Sequence, residues 1–419
     1  MGAKLSLQVP VLVTVPVTGQ TAVLIIVLLQ RVAIQHALPM KLLYHDNRLI
    51  IESATIKTTL SPAFSDHSTA NGIKQTMDLL PTEEQQQIID SAAIFLANEF
   101  PVDAELAAGT TTTRISPDQL QQIAELGWLG IGLPDEMDGI GYGLPEEALL
   151  FVELGRNLMP PSLLASVLAA RIASQCGNRD IALSILEGKQ KVAIAIPKQN
   201  SAAHIGATTN GDFLVYEAQE AHLILVAGEQ GAALLPLDAL ELITQERCID
   251  PTLGLSTYHA ANSPVVCFVD AGTDQIFLRG ALLTSALLLG IAEATQERAV
   301  NYAKEREQFG KAIGSFQAIK HYCADMSIRC ESIRAMLYHA SITLAEDGSS
   351  GLFDAHTLKA LANAAARDNA HAAVQIHGGM GFTQEMDIHL FVKRAQILGT
   401  LFGSERLHLK KLLHAQTPD

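Results

Sequence analysis

The spacing of apolar residues changes character twice along this chain of 419 residues, near 191 and again near 276, and no fold of a single layer type accommodates both changes. Before residue 190 the period is helical. Pro81-Thr82-Glu83-Glu84 reads as a helix start ahead of Ile88, Ile89, Ala92 and Phe95; Leu120, Ile123, Ala124 and Leu126 form a run that Gly127 ends; Leu149, Val152 and Leu154 form another. From 191 to 275 the apolar runs are short and bounded by Gly, Asn, Pro and Asp, as at Val192–Ile196, Phe213–Tyr216, Leu223–Ala227 and Val265–Val269, which are strands. After 276 long helical patterns return, broken near Gly310–Gly314, Gly348–Gly351 and Gly378–Gly381. One of them aligns Ile319, Tyr322, Cys323, Met326, Cys330, Ile333 and Leu337 on a single face. The expected fold is α+β and multi-domain: a helical domain over 77–190, a small β domain over 191–275 and a helical bundle over 276–415.

Charge and cysteine content narrow the classes of function. A formal net charge of −15, with no basic run carrying interleaved aromatics, excludes nucleic acid as a partner. The five cysteines are scattered and never spaced C-x-x-C, which argues against a disulfide framework or a zinc site and favours a reducing cytoplasm. Cys323 and Cys330 read as small hydrophobes. His377 and His389 have no further ligands at metal-binding spacing, so no metal is expected. Glu385 and Asp387 read as charges at a helix N-terminus.

The first 76 residues stand apart. Val9–Leu29 carries no charge over 21 residues, between Lys4 and Arg31, which by length alone suits a membrane anchor. Pro10, Pro16 and Gly19 weigh against that. Ile50–Gly72 runs without periodicity and reads as a disordered connector, and Met77 resembles a second start. Residues 1–76 are expected to be an extension outside the folded domains, with an anchor or a translation artefact as alternatives.

Two corners of the C-terminal region carry chemistry. Arg306-Glu307-Gln308-Phe309-Gly310, followed by Ile313-Gly314 and Phe316-Gln317, joins two helices through a turn holding a guanidinium, an aromatic ring and two amides. A guanidinium clamps a pyrophosphate and amides bond a ring or ribose edge, although helix capping explains the turn about as well. Gln375, His377, Gly378, Gly379 and Gly381 end a helix in a way that lets a phosphate approach the backbone, a weak signal by itself.

In combination and order these stretches resemble the acyl-CoA dehydrogenase family. The likeness runs from Met77 to the C-terminus and rests on Glu125–Glu136 with its Gly-Trp-Leu-Gly-Ile-Gly-Leu-Pro core, on Arg306–Gly310 with Phe316-Gln317, on His377–Glu385 and on Phe402-Gly403-Ser404. The resemblance implies a helical domain, a β domain and a C-terminal four-helix bundle, with FAD held between subunits of a dimer or tetramer. It also implies site residues. Arg306, Gln308 and Phe309 match positions that reach the FAD of a neighbouring subunit, and Gln317 stands beside them. Gln375, Gly378 and Gly379 match the turn against the adenosine diphosphate half, and Ser404 matches a threonine that contacts FAD. The chemistry implied is α,β-dehydrogenation of an acyl-CoA thioester, with an electron-transferring flavoprotein as acceptor.

The sequence departs from the family where the reaction occurs. The usual base is a Glu at the position held here by Phe402, and the alternative position falls at about Gly280, so neither standard base is present. Glu405 is the nearest carboxylate and reads as a surface charge, with a weak candidacy as a substitute base. The family's flavin and substrate loop, Glu-Pro-x-x-Gly-Ser-Asp, falls near Ile196–Ser201, where only Pro197 and Ser201 remain. Two functions therefore compete: a dehydrogenase in a homo- or hetero-oligomer with its base supplied unusually or by a partner, and a non-catalytic subunit completing a partner's FAD site. A flavin oxidase or an interaction-only protein is the third class.

Overall fold

The computed structural model describes residues 11–16, 40–45, 48–53, 81–102, 114–198, 201, 203–346, 349–383 and 385–414. The chain divides into two units, Met1–Pro81 and Thr82–Asp419. In the first, β1 (Val11–Pro16), β2 (Met40–His45) and β3 (Arg48–Ser53) pair antiparallel with β3 in the centre. This corrects two expectations. Part of the apolar stretch is a strand, because Val11, Val13 and Val15 alternate as β-branched residues between Pro10 and Pro16, and the supposed connector begins inside β3 with Ile50 and Ile51. The remainder of Val9–Leu29 and of Ile50–Gly72 lies outside the described residues.

Among the described residues the second unit opens with five helices: α1 (Glu83–Glu99), α2 (Pro117–Glu125), α3 (Leu144–Arg156), α4 (Pro161–Gln175) and α5 (Arg179–Leu186). Their starts are written locally. Thr82 with Gln85, and Ser116 with Gln119, are reciprocal capping boxes, and Pro117 occupies the first helical position, where its missing N–H costs nothing. Gly127, at φ 74°, takes the left-handed conformation that stops α2.

Seven strands follow: β4 (Val192–Pro197), β5 (Thr208–Tyr216), β6 (Leu223–Gly228), β7 (Gly231–Pro236), β8 (Glu241–Glu246), β9 (Leu255–Pro264) and β10 (Cys267–Asp270). The spatial order is β10-β7-β6-β4-β5-β9-β8, antiparallel except for the pair β4 and β6. Side chains alternate between faces. Val192, Ile194, Leu225 and Leu234 join the core shared with the helices, while Ala193, Ala195, Ile224 and Val226 build a second core on the opposite face. Val265 and Val266, expected within a strand, fall between β9 and β10.

The C-terminal region has three long helices, α6 (Ile276–Glu305), α7 (Gln317–Ala345) and α8 (Ser349–His377), and two short ones, α9 (Ile388–Leu398) and α10 (Glu405–His414). The fourth place in the expected bundle is thus split around Phe402. Gly351, expected in an inter-helix break, lies inside α8, where an added Cβ would stand 2.5 Å from the Thr343 carbonyl oxygen. On α7 the expected stripe is buried from Met326 through Cys330 and Ile333 to Leu337, but Tyr322 is 44% exposed.

One buried cation ties the three regions together. Arg394 of α9 pairs with Asp250 at 2.7 Å, and its remaining donors reach the carbonyls of Leu158 and Met159 and the hydroxyl of Thr252. Every group in this hub is paired, which is the condition for burying a charge.

Candidate functional site

The two sequence corners come together. Helix α6 ends at Glu305 with Arg306 as its C-cap; the chain then forms a short hairpin, β11 (Glu307–Gln308) against β12 (Lys311–Ala312). Its tip, Phe309 and Gly310, has φ of 56° and 77°, the pair of positive angles that a tight two-residue hairpin turn demands. Phe309 is 92% exposed and stands edge-on to Phe316. The Arg306 side chain is exposed and has no hydrogen bond or ion pair among the described residues, and Gln317 lies exposed at the start of α7.

At the end of α8, Gln375 is exposed and Gly378 turns the chain at φ 60°. A Cβ added at Gly378 or Gly379 would meet nothing within 4 Å, so the backbone is open to an approaching group. Tyr302, in the last turn of α6, stacks on His377, the last residue of α8, with ring centroids 4.3 Å apart. That stack sets the ends of α6 and α8 side by side. His377 is held in turn by its Nδ1, which bonds the Ala373 carbonyl at 2.7 Å, and His389 bonds the Met386 carbonyl at 2.8 Å. The result is one surface bearing a free guanidinium, exposed amides, an aromatic ring and an uncovered glycine turn. This donor set fits a dinucleotide's phosphates and adenosine.

The usual base position looks different. Phe402 is 5% exposed and packs edge-on against Phe277 at 6.1 Å, and a Cβ placed on Gly280 would lie 2.3 Å from the Phe402 ring. The two positions at which the family resemblance looks for a base are thus pressed against each other, and neither can ionise. Phe402 adopts φ 50°, in the left-handed region that bulky residues avoid. Its carbonyl accepts a bond from His408 Nε2 at 2.9 Å, and His408 Nδ1 lies 2.8 Å from His356 Nδ1. Burial pushes His408 down to about 4, so its ring is neutral at physiological pH. With its one proton on Nε2, His408 must accept from His356, and a chain of two imidazoles secures the turn.

The other candidates near this turn are occupied. Glu405 opens α10 and bonds Arg367 Nη1 at 2.9 Å, and Ser404 Oγ accepts the Leu407 N–H at 3.4 Å. Asp387 is the N-cap of α9, yet its carboxylate pairs with Arg298 at 2.8 Å and caps no backbone N–H. In the expected flavin and substrate loop, Ser201 Oγ accepts the Asp212 N–H at 2.8 Å; Gln199 and Asn200 lie outside the described residues. Among the described residues, then, no carboxylate stands at either position where the resemblance looks for a base, whereas the groups at the Arg306 and Gly378 corners fit the adenosine half.

Residues 82–186 match the family described as "Acyl-CoA dehydrogenase, N-terminal domain" and 273–415 match "Acyl-CoA dehydrogenase, C-terminal domain", together more than half of the chain. The chain belongs to the acyl-CoA dehydrogenase family. This is a family of FAD-dependent oxidoreductases acting on acyl-CoA. Acyl-CoA dehydrogenase IpdE2 of Mycobacterium tuberculosis is 29% identical over 336 residues, which is 80% of this chain and 98% of that protein. Acyl-CoA dehydrogenase FadE34 of the same organism is 28% identical over 301 residues, 69% of this chain but only 41% of its own length. Among solved structures, the ChsE4-ChsE5 complex from Mycobacterium tuberculosis shares the fold with a TM-score of 0.71 at 23% identity, covering 82% of this chain and all of that one.

Three features were not foreseen from sequence. The Tyr302–His377 stack left only two ring residues at helix ends as a trace. The Arg394–Asp250 pair spans 144 residues and carries no motif. The His356–His408 chain was signalled only by two histidines among many.

Proposed function

We propose that this chain is the cofactor-completing half of a hetero-oligomeric acyl-CoA dehydrogenase, whose partner chain carries the catalytic carboxylate. The observation that carries this reading is a distance. Gly280 precedes Arg306 by 26 residues within and just past a single continuous helix, which at 1.5 Å per residue separates the base position from the guanidinium corner by about 39 Å. One FAD cannot reach both, so the corner at Arg306 serves a cofactor whose flavin lies against another chain. Phe402 then makes this chain's own ring pocket dispensable.

The division of labour follows from the chemistry. Removal of the α-proton of an acyl thioester needs a desolvated carboxylate within hydrogen-bond reach, and Phe402 offers none. When bound, FAD accepts the β-hydrogen as hydride. Arg306 neutralises phosphate charge with fixed donors, Gln308 and Gln375 bond the polar edges of the adenosine half, and the uncovered backbone at Gly378 and Gly379 admits the phosphates closely. Phe309 covers the seam, and Gln317 stands beside it. The two-chain composition named for the ChsE4-ChsE5 complex supports the same division. An acyl-CoA substrate, an electron-transferring flavoprotein as acceptor and a cytoplasmic location belong to the proposal.

Co-expression with a homologous chain that has Glu at the position matching Phe402 tests it. The expected product is a yellow complex with one FAD for each pair of unlike chains, bleached anaerobically by acyl-CoA, and losing flavin when Arg306→Ala is introduced. Purification of this chain alone as a yellow protein that acyl-CoA bleaches would overturn the reading.

A further inference from the structure

Arg298 and Tyr302 lie one turn apart on the same face of α6, separated by about 6 Å along its axis. Each grips one flank of the glycine turn Gly378–Phe382. Tyr302 stacks on His377, immediately before the turn, and Arg298 reaches the chain beyond it. The Arg298 Nε donates to Asp387 Oδ2 at 2.8 Å, its guanidinium lies 4.4 Å over the Phe391 ring, and its Nη1 donates to the Ala294 carbonyl at 3.4 Å. These contacts hold the guanidinium from three sides, and through it they tie the start of α9 to α6. The turn itself supplies little restraint. The Thr383 N–H and hydroxyl both donate to the nearby Met380 carbonyl, at 3.1 and 2.9 Å, and only Gly381 is buried, against Val374 of α8. Gly378 and Gly379 have no Cβ to pack, and such positions sample more backbone conformations than any other residue. The shape of the turn is therefore imposed from its flanks.

We infer that Arg298 is a positioning residue for the adenosine half of FAD, acting through Asp387 and Phe391 to keep the glycine turn in the conformation that receives the phosphates. The inference rests on the cofactor reading of the Arg306 and Gly378 corners. The apparent dissociation constant is the intrinsic one divided by the fraction of time that the turn spends in the competent shape. Loosening one flank lowers that fraction and takes no donor away from the cofactor. The loss then falls on association, because the turn must find its shape before the phosphates settle, while release from the bound shape keeps its native rate. Arg306 acts on the other step: removing its donors speeds release. With side chains 28% and 19% exposed, the Arg298–Asp387 pair is also less screened by salt than a surface pair.

The test is FAD binding to the co-expressed complex after its flavin has been stripped, with association and release followed by flavin fluorescence. Arg298→Leu is expected to raise the dissociation constant about tenfold, through slower association at an unchanged release rate, whereas Arg306→Ala speeds release. Arg298→Asp combined with Asp387→Arg regains affinity that each change alone loses. In the full chain without cofactor, amide exchange at Gly378–Phe382 accelerates in Arg298→Leu while the rest of α6 and α8 keeps its native rates. Native affinity in Arg298→Leu beside weakened Arg306→Ala overturns this inference and leaves the cofactor reading standing. Native affinity in Arg306→Ala overturns that reading and this inference with it. Weakening that comes from faster release, or exchange that accelerates throughout both helices, shows that Arg298 is a contact or a general support and overturns the positioning role.

Discussion

The ring of Phe402 occupies the space that a Cβ on Gly280 would need, at 2.3 Å, so each residue dictates the size of the other. Gly280→Ala is therefore expected to destabilise the fold by about 1–3 kcal/mol through overpacking, and Phe402→Ala by about 3–5 kcal/mol through a cavity. Combined, the two changes should cost less than their sum, because the new methyl enters the vacated space. Urea denaturation of the four proteins measures the coupling; simple additivity would show that the ring and the glycine do not interlock.

Asp250→Ala leaves Arg394 charged and buried without its counter-ion, for which a loss of about 3–5 kcal/mol is expected. Burial opposes the charge on Asp250, but Arg394 outweighs it and holds the carboxyl below its usual range. A depressed folded-state pKa gives stability that is present above the ordinary aspartate value and is lost as pH falls through the folded value. Acid unfolding of the native protein should accordingly be steeper than that of Asp250→Ala, as followed by circular dichroism.

Lys359 is fully buried, bonds only Asn363 Oδ1 and the Leu398 carbonyl among the described residues, and is pushed down by burial from 10.5 to about 7. Its neutral form still has two N–H donors for those two acceptors. Between pH 7 and 10.5 the unfolded chain holds a proton that the folded chain lacks, so this residue makes stability rise with pH across that window. Lys359→Met should flatten the rise in midpoint between pH 7 and 10; an unchanged slope would assign it to other groups.

Glu153 gives the opposite slope. Burial raises it from 4.5 to about 7, only partly offset by Arg156, so the folded state keeps a proton that the unfolded state has released. The stability contribution is complete below pH 4.5 and disappears as pH climbs through 7. Glu153→Gln, which keeps the neutral shape, should be more stable than the native protein at pH 8 and equal to it at pH 4.5. Thermal melts at the two pH values decide this.

Tyr302→Leu removes the stack on His377 while preserving an apolar side chain at the end of α6. A folding cost of about 0.5–1.5 kcal/mol is expected, together with a larger fall in the flavin content of the co-expressed complex as the Arg306 and Gly378 corners drift apart. Flavin absorbance per complex reads the effect. Full flavin content in this variant would mean that the corners hold their places without the rings.

Helices, sheet and helical region were legible because hydrophobic period is a local property, and Thr82 and Ser116 wrote their own caps. The split of the last bundle position around Phe402 was harder to foresee, since Gly399 and Gly403 are ordinary punctuation until the ring between them is seen turned onto α6. Arg306, Gln375 and Gly379 could be picked out by chemistry, but their meeting depends on Tyr302 and His377, 75 residues apart. Arg394 and Asp250 looked unrelated for the same reason: a contact made once, between distant residues, leaves no repeating trace.

The length of α6 has an evolutionary corollary. Substitutions this far apart act independently, so decay at the Gly280 end places no constraint on the Arg306 end. A gene copy could shed its acid–base chemistry in one step and still be indispensable to a sister copy that retained it, after which neither could be deleted alone.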